Sequence, residues 1–373
     1  MFRLSNLIKS TLQEQKSRSL DGSIIIWNMT NRCNLLCHHC YSKASANEKE
    51  SLSLEDILKT IPKLKIANIN FVIFSGGEPL LRKDIFEIAQ SMKDNKIMTY
   101  LSTNGTYITQ KNAQKIIDTF NYIGISIDGI GEVHDYFRGQ KGSYDKSIEA
   151  IKTIQKLGGN AGIRFTITKE TESSFYDIFT LAEELNVNKI YISHLVYSGR
   201  GKENLEIDIS KEKRKEYVNF MINKAFEYYE NGKDIDIVTG NMEMDAIMLL
   251  KEFEKKYPDF VNSLKNRLKS WGGNSAGKRL GNMDWNGFVK PDPFFPMTIG
   301  NYLEKDFDKI WLDDNNELLK KLREFPRNIK GKCSSCKYID ICNGGSRSRA
   351  YAISGDLWDE DPSCYLTLEE IKG

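Results

Sequence analysis

From Ser23 to His194 the chain alternates short apolar runs with longer amphipathic stretches. The runs 23–28, 70–74, 97–102, 122–127, 160–168 and 189–194 are rich in Ile, Val, Phe and Tyr and predict six strands. Several are nearly unbroken apolar runs, the pattern of parallel strands covered on both faces. Helical spacing fills the gaps. Leu54, Ile57, Leu58, Ile61 and Leu64 share one face behind a Ser53/Asp56 capping pair. Phe175, Ile178, Phe179, Ala182 and Leu185 repeat that spacing, and Asp84–Asp94, Thr109–Phe120 and Tyr144–Leu157 supply further helices. Strand and helix in strict alternation imply an α/β fold with a parallel sheet and right-handed crossovers, either doubly wound or a partly closed barrel.

Beyond this region the pattern changes. Residues 201–270 are charged, helical in period and rich in Tyr and Phe. From Gly272 onward Gly, Pro and Asn become dense and the period fades. The chain therefore divides into an extension (1–20), an α/β unit (21–200), a helical linker (201–270) and a C-terminal unit (271–373). No apolar run is long enough to span a bilayer, and Met1–Leu20 lacks a signal-peptide core. Lys plus Arg (53) against Asp plus Glu (51) gives a net charge of +2, which argues against nucleic-acid binding by bulk charge. The expectation is a cytoplasmic protein without a membrane or nucleic-acid partner.

The seven cysteines fall into two groups: Cys33, Cys37 and Cys40, then Cys333, Cys336, Cys342 and Cys364. Tight clusters without a secretion signal read as metal or redox centres rather than disulfides. The C-terminal four can close a zinc site or ligate every iron of a cubane. The first three need a fourth ligand. His38 or His39 would make a Cys3His zinc site; an open iron would leave room for an exogenous ligand. The cysteines alone leave zinc and iron–sulfur open.

Cys33-x3-Cys37-x2-Cys40, followed by Tyr41 and placed just past the first predicted strand, resembles the cluster motif of the radical S-adenosylmethionine superfamily. Motifs at later strand ends extend the resemblance. They are Ser75-Gly76-Gly77-Glu78-Pro79, Ser102-Thr103-Asn104-Gly105 and Ser126-Ile127-Asp128-Gly129, followed by Arg164 and Tyr191–Leu195. The resemblance implies a partial (β/α)6 barrel, a [4Fe-4S] cluster on Cys33, Cys37 and Cys40, and S-adenosylmethionine at its open iron. Tyr41, Gly76, Gly77, Glu78, Ser102, Asn104, Ser126, Asp128 and Arg164 would form the cofactor rim, the glycines admitting close backbone approach.

Cys333-x2-Cys336-x5-Cys342 with Cys364 is similar to the C-terminal extension called SPASM, and implies a second, auxiliary [4Fe-4S] cluster on those four thiolates. Three further ligand positions of a fuller extension carry Asn274, Asp292 and Ser346, so the ligands of an inner auxiliary cluster are missing. This combination resembles the enzymes that trim siroheme-derived tetrapyrroles, in heme d1 biosynthesis and the alternative heme route. The resemblance implies a didecarboxysiroheme substrate losing propionate or acetate side chains, and an electron donor such as a flavodoxin or ferredoxin. Vacated inner-cluster space, with Phe294, Phe295 and Tyr197, would form a macrocycle slot. Arg200, Lys278, Arg279, Arg347 and Arg349 would pair with its carboxylates or else lie as surface charges. His194 would donate a proton or ligate the tetrapyrrole iron, or else be a buried His bonded to backbone. His134 would order a loop, and His38 and His39 would stand beside the cluster. Two other classes remain: a peptide maturase, and a non-catalytic metal-binding protein, which would not need the glycine-rich rim.

Overall fold

A computed structural model describes residues 1–15, 22–49 and 52–372. The expected boundary between the extension and the α/β unit lies outside them. The strands are β1 (Phe2–Arg3), β2 (Ser23–Thr30), β3 (Ile69–Gly76), β4 (Met98–Thr103), β5 (Tyr122–Ser126) and β6 (Ala161–Ile167). They continue with β7 (Lys189–His194), β8 (Asp236–Gly240), β9 (Leu280–Met283), β10 (Phe288–Lys290) and β11 (Gly300–Asn301). All join one open sheet in the order β1-β8-β7-β6-β5-β4-β3-β2-β9-β10-β11.

Strands β2 to β8 lie side by side in chain order, every pair parallel, as right-handed crossovers require. This is the partial barrel expected from the sequence, with one strand more. β8 falls inside the segment read as a helical linker. Its five residues are too few to stand out between the helices Lys211–Glu230 and Asp245–Lys256. Nor does the sheet stop near 271: β9 pairs in parallel with β2, so the C-terminal unit extends the barrel's sheet. At the other edge β1 pairs antiparallel with β8, which draws the N-terminal extension into the same sheet.

The two sheet faces differ in chemistry. Ile123, Ile125, Ile163, Phe165, Ile190 and Ile192 are buried on the helix-covered face. Their neighbours on the inner face are Tyr122, Gly124, Ser126, Gly162, Arg164, Thr166, Lys189, Tyr191 and Ser193, several only half-buried. The strands are therefore apolar on one face and mixed on the other, not covered apolar strands on both. Ser53 caps the helix Leu54–Ile66 by accepting from the Asp56 amide at 3.1 Å, and Ile57, Ile61 and Leu64 pack inward. Among the described residues no helix is long and apolar enough to cross a membrane.

Candidate active site and auxiliary cysteine site

The loop after β2 carries Cys33, Cys37 and Cys40, and its backbone is held from several directions. The Cys33 amide donates to the Ser45 carbonyl (3.0 Å), and the Leu36 and His38 amides donate to Arg138 and Phe137 carbonyls (both 3.1 Å). Arg200 donates its Nε to the Cys37 carbonyl (2.7 Å) and Nη1 to that of Ala44 (3.2 Å). This arginine therefore positions the cysteine loop, rather than facing a substrate or lying on the surface.

Four groups approach the sulfurs, the most distant being Asn104 Nδ2 at 4.0 Å from Cys33 Sγ. The Leu35 amide points at Cys33 Sγ (3.4 Å), Arg138 Nη1 at Cys37 Sγ (3.5 Å), and Ser42 Oγ lies 3.4 Å from Cys40 Sγ. Burial pushes the Cys33 thiol up to about 12 and raises that of Cys37, so bare thiols here stay protonated. Metal ligation supplies the thiolate state these sites need. Among the described residues no three His, Cys, Asp or Glu side chains converge on one point suited to a single ion.

The rim residues divide into those that face inward and those that brace the fold. Gly76 and Gly77 end β3 against the cysteine loop. A Cβ on Gly76 would stand 2.3 Å from the Thr30 carbonyl oxygen, and one on Gly77 2.0 Å from that of Arg32. The amides of Gly77 and Glu78 donate to the Thr30 and Arg32 carbonyls (both 2.8 Å). The glycines thus admit the protein's own backbone, a requirement for glycine that stands beside the expected approach of a cofactor.

Glu78 is fully buried and accepts from Thr103 Oγ1 (2.8 Å), the Asn104 amide (2.8 Å) and the Leu80 amide (3.1 Å). Asp128 is fully buried too, paired with Arg138 and accepting from the Thr166 amide at 2.6 Å. Both carboxylates brace the rim from beneath and do not face a ligand. Asn104 donates to Asn34 Oδ1 (3.0 Å) beside Cys33, and Tyr41 donates to Asn28 Oδ1 (2.9 Å) under the Phe294 ring. Ser102 and Ser126 are half-buried at their strand ends with no hydroxyl partner among the described residues, free to meet a ligand.

His194 is placed otherwise than expected. Arg214 Nη1 lies 3.2 Å from its Nδ1, and Asp245 Oδ2 lies 3.3 Å from its Nε2. Guanidinium only donates, so Nδ1 accepts and the ring proton is on Nε2. Burial lowers its pKa, consistent with this neutral form. The ring links Asp208–Arg214 to Asp245–Tyr365, and neither nitrogen is left for an iron or a substrate. His134 is a loop brace as expected, although its Nδ1 accepts from the Asp128 amide (3.0 Å) rather than pairing with its Asp or Arg neighbours. His39 is half-buried and stacked flat on Phe137, and His38 meets Glu170 at 2.8 Å.

In the C-terminal unit Cys333, Cys336, Cys342 and Cys364 line one cavity, walled by Met244, Ile247, Ile339, Leu366 and Ile371, with Lys332 at its edge. Inner-cluster space is filled rather than vacated. Arg327 donates to Asn274 Oδ1 (3.0 Å), Asn274 donates to Glu243 Oε1 (3.1 Å), and Ser346 caps the helix Arg347–Ser354. Asp292 is buried, accepting from the Phe294 amide at 2.8 Å.

The expected slot does not form from the named residues. Phe295 packs into a small core, Tyr197 is tied to Asp208 (2.6 Å), and Arg347 donates to the carbonyls of Leu357 and Asp359. Arg349 makes a fully buried two-point pair with Asp361 (3.0 and 2.7 Å). Its Nη1 reaches the Leu195 carbonyl just past β7, joining the two units. Neither Arg347 nor Arg349 is a surface charge. Lys278 lies over the Phe325 ring and Arg279 donates to the Trp271 carbonyl.

Residues 27–182 match the Radical SAM superfamily. The chain is 36% identical to the pre-heme d1 synthase of Dinoroseobacter shibae, across 99% of this chain and 93% of that one. It is 37% identical to the Fe-coproporphyrin III synthase of Methanosarcina barkeri, across 93% and 89%. Among solved structures, Streptococcus suis SuiB bound to its precursor peptide SuiA aligns with a TM-score of 0.73 at 17% identity, across 97% of this chain and 79% of that one. The last shows a common fold.

Proposed function

The chain belongs to the radical SAM superfamily, and from that premise we propose that it removes propionate or acetate side chains from a siroheme-derived macrocycle, didecarboxysiroheme. That it is a radical SAM enzyme of tetrapyrrole biosynthesis follows from its relatives. The observation that supports the finer reading is that two relatives named for tetrapyrrole products match it nearly end to end.

Cys33, Cys37 and Cys40 would hold the [4Fe-4S] cluster, with S-adenosylmethionine at its open iron. When bound, this pair supplies a 5′-deoxyadenosyl radical able to abstract hydrogen from an unactivated carbon. The chain's own part is to fix geometry and exclude water. Glu78, Asp128 and Arg138 hold the strand ends against the cysteine loop, while Ser102 and Ser126 offer free hydroxyls to a ribose or carboxylate. Arg138 aims positive charge at Cys37 Sγ, where it would favour electron density on the ligated sulfur.

The cavity lined by Cys333, Cys336, Cys342 and Cys364 supports a second [4Fe-4S] cluster, since four thiols at one cavity supply one ligand for each iron of a cubane. Its apolar wall suits a cluster that exchanges electrons while shielded from water.

The test is anaerobic incubation with reductant, S-adenosylmethionine and didecarboxysiroheme, followed by mass analysis of the pigment. The expected result is 5′-deoxyadenosine together with a pigment lighter by its lost side chains. Unaltered pigment, with a precursor peptide modified instead, would overturn the reading in favour of a peptide maturase.

A further inference from the structure

On the inner face of the barrel, below the strand ends, two cations meet without a counter-ion. Arg164, on β6, lies with its guanidinium 4.4 Å over the Tyr191 ring, and Lys189, on β7, holds its ammonium 4.0 Å over the Tyr122 ring. Neither has a hydrogen-bond acceptor or carboxylate partner among the described residues. The adjacent carboxylate, Asp236, accepts from Arg3 twice through its Oδ2 (2.9 and 2.7 Å), while its Oδ1 is buried and bonds to neither Lys189 nor Arg164. The Tyr122 hydroxyl is buried and likewise lacks a partner. This contrasts with Arg138, Arg200, Arg214, Arg327, Arg347 and Arg349, each of which has named acceptors.

Three glycines explain how these side chains lie. A Cβ on Gly124 would stand 2.8 Å from Arg164 Cδ, one on Gly162 2.2 Å from the Tyr122 hydroxyl, and one on Gly240 1.9 Å from that of Tyr191. The rings and the arginine stem therefore lie across the glycines of neighbouring strands. Two like charges side by side repel, and cation–π contact offsets this by only about 0.5–2 kcal/mol each. Burial, then the Arg3 and Arg164 charges, lower the Lys189 pKa, and the Asp236 carboxylate offsets this only in part. An anion between the two would relieve both effects. Arg164 is three residues below the end of β6 and Lys189 five below the end of β7, roughly 10 and 17 Å at strand rise, so the arm that meets them must reach down the inner face from the strand ends.

We propose that Arg164, Lys189 and the Tyr122 hydroxyl form a carboxylate-binding floor inside the barrel, which receives a carboxylate arm of the substrate and so fixes which side chain faces the reacting centre. This rests on the tetrapyrrole reading for the identity of the substrate, though not for the existence of the floor. It moves Arg164 from the cofactor rim to the substrate.

The test uses the full, anaerobically reconstituted chain. Didecarboxysiroheme affinity is read from its visible spectrum, and S-adenosylmethionine affinity by equilibrium dialysis. Arg164→Met and Lys189→Met should each weaken pigment binding about tenfold or more, as loss of a charge-assisted contact does, and leave cofactor affinity unchanged. Arg164→Lys, which keeps charge and loses the fork, should fall between, and serves if the Met variant misfolds. Pigment affinity unchanged in the variants would overturn the floor. So would loss of cofactor affinity alone, because the carboxylate would then belong to S-adenosylmethionine.

A second probe separates the two proposals. Succinate should perturb the near-ultraviolet tyrosine signal of the wild type and not of the Arg164/Lys189 double Met variant. If the wild type binds no pigment yet shows this response, the substrate reading fails and the floor stands. If neither ligand binds, the floor falls as well.

Discussion

Arg138 joins Asp128, at the end of β5, to the sulfur of Cys37: it pairs with the buried carboxylate and points its Nη1 at Sγ from 3.5 Å. One side chain thus couples a strand end to the cluster loop. Its carbonyl adds a second tie by accepting from the Leu36 amide. Replacing Arg138 by Met leaves Asp128 charged, fully buried and unpaired, a change that costs about 3–5 kcal/mol. The expected outcome is a large loss of stability in anaerobic urea unfolding, with poorer iron retention at the first site. Asp128→Asn should recover most of the stability in the double variant and not the cluster's spectroscopic signature.

Gly77→Val should damage the first cluster site itself. The added Cβ meets the Arg32 carbonyl oxygen at 2.0 Å, one residue before Cys33, and backbone there has no room to yield. The expected outcome is loss of about half of the bound iron after reconstitution, together with loss of S-adenosylmethionine binding. A variant with full iron and weakened cofactor affinity would show that the glycine serves only the cofactor.

Much of this was legible in the sequence, and what was missed has physical causes. Six strands and the placement of both cysteine groups follow from apolar runs and thiol spacing, which are local signals. β8 escaped because five residues between long helices carry too little pattern. The inner face was misread because Tyr122-Ile123-Gly124-Ile125-Ser126 looks apolar when read as a run. Its alternation separates buried isoleucines from a glycine and two hydroxyls. Residue type also misled at Glu78, Asp128 and His194. Polar residues at strand ends can either face a ligand or brace the rim, and only the three-dimensional partners distinguish the two.

Asp292 should impose a pH dependence on stability. Burial pushes its carboxyl up to about 6, from an ordinary 3.8. The folded state therefore favours the neutral form. Stability from this group is fully present below about pH 4, where both states are protonated, and is lost as pH rises to about 6. Two units correspond to about 3 kcal/mol. Asp292→Asn keeps an acceptor for the Phe294 amide and cannot ionise. It should flatten the urea-unfolding profile between those pH values and stabilise the protein at neutral pH. An identical slope in wild type and variant would mean that Asp292 is ionised in the fold.

The cysteine groups should prove independent in metal content. Cys33, Cys37 and Cys40 lie in a loop braced by Arg138 and Arg200, while Cys333, Cys336, Cys342 and Cys364 surround a separate cavity. After anaerobic reconstitution the wild type should hold about eight iron and eight sulfide, as two cubane clusters require. Replacing Cys33, Cys37 and Cys40 by Ala should remove about half of each and abolish reductive cleavage of S-adenosylmethionine. Cys342→Ala acts in the other direction. Its side chain is buried against the cavity, its carbonyl accepts from the Asn274 amide at 3.3 Å, and a Cβ on Gly273 would press on the same carbonyl. Losing that ligand should release the second cluster and loosen the C-terminal unit, while the first cluster still cleaves S-adenosylmethionine without substrate. Zinc recovered in place of half the iron from anaerobically purified protein would refute the auxiliary cluster, because four thiolates that close a tetrahedral zinc site are not left to ligate a cubane.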